Sequence, residues 1–192
     1  LIFSLGLTLG MVFEEQRYNW ADDINQEQDV NYLSLQLQFL FLSAFENEHN
    51  CPVLLSTLQQ SVDELSKSLS KILDFEKQNS LSQDDYTILE RRYTLDNLRY
   101  WILADRAKES CDLDIVSILY FYSETCESCP GQGTILTYFK KVFGEQVLIF
   151  PINVDLKETE PMVKIATSMH DVQDLPTLII EKEKYTGIVK KN

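Results

Sequence analysis

Hydrophobic positions along this chain change their period part-way, and the change separates two kinds of element. Leu55, Leu58, Val62, Leu65, Leu69 and Ile72 recur at alternating spacings of three and four. This heptad seam predicts a helix after the polar turn at 46–52, with Pro52 suited to its first position. It covers too few heptads for a free-standing coiled coil, so packing within its own domain is expected. A further helix is predicted over 85–110, where Tyr86, Leu89, Tyr93, Tyr100, Leu103 and Ala107 share a face and Leu95, Leu98 and Ile102 widen it. That width is expected of a helix touching two neighbours. Upstream, 29–45 reads both ways: Leu33, Leu35, Leu37, Phe39 and Phe41 alternate, while Val30, Leu33, Leu37, Leu40 and Ala44 fit one helical face. Its length and its leucine and glutamine content favour helix.

Near 109–113 the period becomes strand-like. Residues 115–122 are rich in β-branched and aromatic side chains and end at the polar Ser123-Glu124-Thr125, the pattern of a buried strand. Two cysteines follow, Cys126 and Cys129. They are expected to open a helix that runs to 143 and stops at Gly144, with Cys126 at its N-terminus, Cys129 one turn on, and Pro130 tolerated in the first turn. A second strand over 147–155 then completes a βαβ unit with parallel strands. After a short helix at 158–170, an antiparallel hairpin pairs 177–180 with 185–189 through a turn at 181–184.

The chemistry is concentrated in the cysteines. At a helix N-terminus the unpaired amides and the helix dipole favour a thiolate at Cys126, and such cysteines titrate at roughly 3.5 to 7.5. Cys129 is near enough to resolve a mixed disulfide formed at Cys126. The other readings of the pair are a fixed disulfide or half of a zinc site. Zinc would need two more ligands from His49, His170, Cys51 and Cys111, none at a supportive spacing, so no metal is expected. Both histidines are expected to be solvated, and no cofactor is implied. Cys51 and Cys111 fall at the two ends of the helical hairpin. A disulfide there would be worth roughly 4 kcal/mol in the chain-entropy model, while two buried free thiols fit equally well.

Residues 113–189 resemble the thioredoxin superfamily: a first strand leading into Cys126-Glu127-Ser128-Cys129, the extended Val147-Leu148-Ile149-Phe150-Pro151-Ile152-Asn153-Val154-Asp155, a short helix, then Val172-Gln173-Asp174-Leu175-Pro176-Thr177-Leu178. The resemblance implies a cis Pro176 packed beside the cysteine pair, and a Leu175 whose backbone pairs with a substrate strand. Three positions depart from the family. Thr125 replaces the usual tryptophan. Tyr120 stands where thioredoxins carry a buried carboxylate that manages the second cysteine's proton, so that assistance is not carried over. Glu127 would disfavour a neighbouring thiolate and raise the Cys126 pKa. The family's terminal helix is not expected within a chain that stops at Asn192.

The expected architecture is therefore an α/β thioredoxin-like domain (113–192), a central mixed sheet flanked by helices, preceded by an all-α hairpin or bundle (29–112). With 192 residues and 44% hydrophobic content the chain is long enough for a packed core. Its formal charge of −13 argues against a nucleic-acid partner. Residues 1–13 are uncharged and too short to span a bilayer, which takes about 20 apolar residues. They read as the tail of a membrane anchor or signal segment, or as a buried helix. A polar stalk, 14–28, follows. Between 14 and 66 the only basic residue is Arg17, which fits an extracytoplasmic flank. The function expected is a membrane-anchored or exported thiol–disulfide oxidoreductase acting on protein disulfides and dithiols. The competing reading is a redox-inactive thioredoxin-like scaffold stapled by a Cys126–Cys129 disulfide.

Overall fold

A computed structural model describes residues 34, 36, 37, 51–78 and 83–189. The apolar segment 1–13, the stalk 14–28 and most of the helix expected over 29–45 lie outside the described residues; Ser34, Gln36 and Leu37 are helical and exposed. The chain divides into two compact units, Leu1–Asn50 and Cys51–Asn192. Everything below concerns the second.

Two long helices come first, α1 (Cys51–Gln78) and α2 (Gln83–Cys111). The heptad seam locates α1 correctly and its Ile72 is buried, but Leu55 and Leu69 are exposed, whereas Leu54, Thr57, Ser61 and Ser68, which lie off the seam, are buried. The reason is the small hydroxyl residues. Thr57 and Ser61 donate to the carbonyls of Val53 and Thr57 at 2.9 and 3.0 Å, and Ser68 donates to Asp96 on α2 at 2.6 Å. Satisfied internally, these hydroxyls are buried at little cost. Leu58, Val62 and Leu65 still pack against the core from the side. A Cys51–Cys111 disulfide joins the two ends of the hairpin across a sequence separation of 60.

The sheet has four strands in the order β2-β1-β3-β4: β1 (Val116–Tyr122), β2 (Val147–Asn153), β3 (Thr177–Ile180) and β4 (Glu183–Thr186). β1 pairs parallel with β2 and antiparallel with β3, which pairs antiparallel with β4. Helix α3 (Cys129–Phe143) makes the β1–β2 crossover, and α4 (Pro161–Met169) precedes β3. Pro151 is accommodated because β2 is an edge strand. The α3 boundary at Gly144, φ 57°, falls where the sequence put it.

Alternation along β1 sorts side chains to two faces. Leu119 and Phe121 join Leu148, Phe150, Ile152 and α4 in one core, to which α2 contributes Leu98, Tyr100 and Ala104. The Tyr100 and Phe150 rings meet edge to face at 5.1 Å. Ile118 and Tyr120 face the other way, with Leu136 and Cys129 of α3. The fold is thus a mixed sheet covered by α3 on one face and by α2 and α4 on the other. Arg91 of α2 reinforces this, donating from Nε and Nη2 to Glu160 Oε2 at 3.3 Å, while the Glu160 side chain caps α4.

The last hairpin is tighter than expected. β4 is Glu183–Thr186 rather than 185–189, and the turn is only Glu181 and Lys182, at φ 51° and 76°. Paired positive φ values build a two-residue turn that normally selects Asn and Gly. Here the turn is clasped to the end of α2 instead: Glu181 pairs with Lys108, and Lys182 donates to Glu109 at 3.0 Å.

Candidate functional site

The cysteine pair sits where β1 passes into α3. Cys126 and Cys129 are joined in a disulfide, with Cα atoms 5.4 Å apart. The helix begins at Cys129, one turn later than the sequence spacing placed it, because two successive turns intervene. Cys126 N–H donates to Ser123 O and Cys129 N–H donates to Cys126 O, both at 3.2 Å. Cys126 therefore lies just ahead of the helix, half-buried, and Cys129 is buried as its first residue. Pro130 falls in the first turn, where its missing N–H costs nothing. Ser128 Oγ lies 3.7 Å from Cys126 Sγ.

The loop carrying Cys126 is anchored from below by Asp155. Its carboxylate accepts from Ser123 Oγ at 2.8 and 2.9 Å and from Glu124 N–H at 2.9 Å. Ser123 Oγ in turn accepts from Thr125 N–H at 3.1 Å, and Asn153 Oδ1 accepts from Asp155 N–H at 3.0 Å. Sequence reading missed this clasp; the one available signal was an aspartate just past the end of the second strand.

Leu175 shares a hydrophobic cluster with the pair. The Leu175–Pro176 peptide bond is cis, and Pro176 is buried. Among the described residues, neither backbone group of Leu175 has a backbone hydrogen-bond partner. Beside it opens a groove of about 630 Å³, walled in part by Val154, Val172, Lys157 and Lys164. Cys51 and Cys111 are bonded to each other at the hairpin ends and take no part in this site.

Tyr120 lies under the pair and donates its hydroxyl to Cys129 O at 2.6 Å. Burial pushes its pKa up. The neighbouring Tyr122, stacked on it at 5.4 Å, is raised further, by burial first and then by the charge of Glu90. His170 was expected in solvent and is instead partly buried. It packs between Trp101 and Phe121, 6.0 Å from each ring, with Nε2 buried and unpaired. Burial lowers its pKa. Among the described residues no cluster of three or more His, Cys, Asp or Glu side chains is placed to hold a metal ion, and no helix is long and apolar enough to cross a membrane.

The parallel β1–α3–β2 unit, the antiparallel hairpin added beside it and the CxxC disulfide ahead of α3 give the C-terminal part of the chain a thioredoxin-like fold with a disulfide-bonded CxxC pair. Relatives agree. Thioredoxin 2 of Plasmodium falciparum (isolate 3D7) is 30% identical over 77 residues, 40% of this chain and 45% of that protein. Thioredoxin 2 of Plasmodium berghei (strain Anka) is 36% identical over 77 residues, 40% of this chain and 44% of that protein. The chain thus spans less than half the length of these curated relatives. Similar solved structures include thioredoxin-2 described as a component of malaria parasite protein secretion machinery, at 24% identity and a TM-score of 0.34 over 39% of this chain and 72% of that one. Chloroplastic thioredoxin z is similar at 20% identity and a TM-score of 0.34, over 45% and 77%. No protein-family model matches the chain.

Proposed function

We propose that this chain is a thiol–disulfide oxidoreductase acting on protein disulfides and dithiols, with Cys126 as nucleophile and Cys129 as resolving cysteine. The observation that carries the reading is the unequal exposure of the pair: Cys126 half-open ahead of α3, Cys129 buried as its first residue. The dipole and free amides of the helix favour a thiolate at Cys126. Leu175, whose backbone has no backbone partner among the described residues and which borders the groove, is suited to receive an extended substrate segment. In the reducing direction the Cys126 thiolate attacks a partner disulfide, one partner sulfur leaves as thiolate, and Cys129 attacks Cys126 to release the other. Oxidation runs the same steps backwards.

An exported or membrane-anchored location is part of the proposal. Its supports are the apolar run 1–13, the scarcity of basic residues after it and the closed Cys51–Cys111 bond, a kind of bond that persists in oxidising compartments. The second reading, a scaffold stapled by its disulfide, draws on Thr125 and Tyr120 in place of the family's tryptophan and carboxylate. Alkylation of the reduced protein by iodoacetamide against pH, together with equilibration against glutathione, separates the two. Oxidoreductase chemistry requires Cys126 to react first, with an ionisation well below the free-cysteine value of roughly 8.5. An unshifted thiol, or a disulfide that glutathione cannot open, would leave the scaffold.

A further inference from the structure

We propose that the solvent-facing side of α3, beyond the CxxC, is a docking surface for the redox partner of Cys126. It fits a partner segment that carries apolar side chains and an acidic residue five or six positions from the cysteine under attack. That the partner is a dithiol or disulfide protein rests on the oxidoreductase reading; the chemistry of the surface does not.

Helix α3 buries Cys129, Gln132 and Leu136, yet the side chains it turns to solvent are not mainly polar. Tyr138, Val142 and Phe143 are 51%, 54% and 48% exposed, an apolar patch of the kind that marks contact with another molecule. The rings run together, Tyr138 to Phe139 at 5.9 Å and Phe139 to Phe143 at 6.2 Å. Nearer the cysteines, a shallow groove of about 450 Å³ runs along the helix from Pro130 to Tyr138 and Lys141. Thr134 and Thr137 lie in it with their hydroxyls turned back onto the carbonyls of Pro130 and Gly133, at 3.0 and 2.9 Å. Their polar atoms are thus already satisfied by the helix.

Charge decides what this surface receives. The stretch 128–144 holds Lys140 and Lys141 and no acidic residue, in a chain of net charge −13. Lys140 is engaged with Glu145 at 3.6 Å, whereas Lys141 is exposed beside the groove and makes no ion pair among the described residues. The helix dipole accounts for lysines in a last turn, but not for the half-exposed apolar side chains beside them. The surface is continuous with the redox site, because Pro130 follows Cys129 directly. Lys141 stands 12 positions beyond Cys129, about 18 Å along the helix, which an extended segment covers in about five or six residues. Around Cys126 the charge is opposite, with Glu124 and Glu127 both exposed. An acidic side chain next to the attacked cysteine is repelled; one at the far end of the groove is attracted.

The test presents the full reduced chain with peptides whose single cysteine is joined to thionitrobenzoate. The Cys126 thiolate bonds to the peptide sulfur, the existing S–S bond breaks, and thionitrobenzoate leaves as a coloured thiolate. The double Cys126→Ser/Cys129→Ser chain supplies the background from Cys51 and Cys111. An Asp pair is placed two or five residues from the cysteine, on either side, in an otherwise uncharged peptide. On one side the distant pair should quicken the reaction about threefold over the uncharged peptide, the size of one exposed ion pair, and the near pair should slow it. Lys141→Gln should erase the gain without changing the rate of the uncharged peptide, and Lys141→Glu should turn the gain into a loss. Salt at about 0.5 M should flatten the series. Tyr138→Ala should slow the peptides and leave Ellman's reagent, too small to reach it, unchanged. Equal rates for the two placements, or a gain that survives Lys141→Glu, overturn the proposal. So does an absent preference in a chain that floats with phosphatidylglycerol vesicles and loses that property in Tyr138→Ala, which would make the face a membrane contact. If the preference holds but insulin disulfides are left untouched, the oxidoreductase reading fails and the docking surface stands. Insulin reduced with no preference by position gives the reverse.

Discussion

Asp155, just past the end of β2, accepts the one hydroxyl proton of Ser123 between its two carboxylate oxygens, 2.8 and 2.9 Å from Oγ, across 32 residues of sequence. This pairing ties the loop that carries Cys126 to the strand beneath it, so the position of the sulfur depends on a side chain that never touches it. Asp155→Ala removes three acceptor contacts and strands Glu124 N–H. It should cost about 1–2 kcal/mol and slow alkylation of Cys126, as read by denaturant titration and iodoacetamide kinetics. Asp155→Asn, which keeps an acceptor oxygen, should fall between.

The Cys51–Cys111 bond should act on stability alone. It closes a separation of 60 residues at the ends of the α1–α2 hairpin, so replacing both cysteines with serine should lower unfolding free energy by about 2–4 kcal/mol. The Cys126 ionisation should stay where it was. A change in that ionisation would show coupling between the two disulfides.

His170 predicts a pH dependence. Burial holds its folded pKa below the ordinary 6.5, so between those two values the unfolded chain binds more protons than the folded one. The neutral ring's contribution is complete above 6.5 and drains away as pH falls through the window below it. His170→Phe should flatten this part of a melting-temperature profile. The hydrogen bond from Gln173, then Lys184, lowers the pKa of the neighbouring Asp171 from 3.8, so its own loss of stability comes at lower pH and is separable.

Lys182 stands at φ 76°, a conformation that penalises any Cβ. Its ion pair with Glu109 is between side chains 76% and 64% exposed, and such pairs contribute little. Lys182→Gly should therefore raise the melting temperature. A fall would mean that the clasp onto α2 outweighs the backbone cost.

What was legible in the sequence was local. Strand β1, the stop of α3 at Gly144 and the Leu175-Pro176 corner all announce themselves within a few residues. The misplaced features depend on distant partners. The heptad rule put Leu55 and Leu69 in the interface because it counts apolar side chains, whereas Ser68 is buried through its bond to Asp96 on the facing helix. Trp101, remote in sequence, meets the ring of His170 and covers part of it. The hairpin register was missed because Glu181-Lys182 carries no Asn or Gly signal and is held by α2. At the site, spacing and resemblance named both cysteines and Leu175, which the fold brings into one cluster, while the Asp155 clasp left no signal beyond an aspartate just past β2.

Helix α2 lends Leu98, Tyr100 and Ala104 to the same core as Phe150 and Ile152, and this makes the helical arm inseparable from the fold it precedes. A fragment cut at 113 would keep α4 but uncover the part of the core that Leu98, Tyr100 and Ala104 close over, leaving an adhesive apolar patch beside Phe150. Moving the CxxC fold into another chain would therefore call for α2 to travel with it.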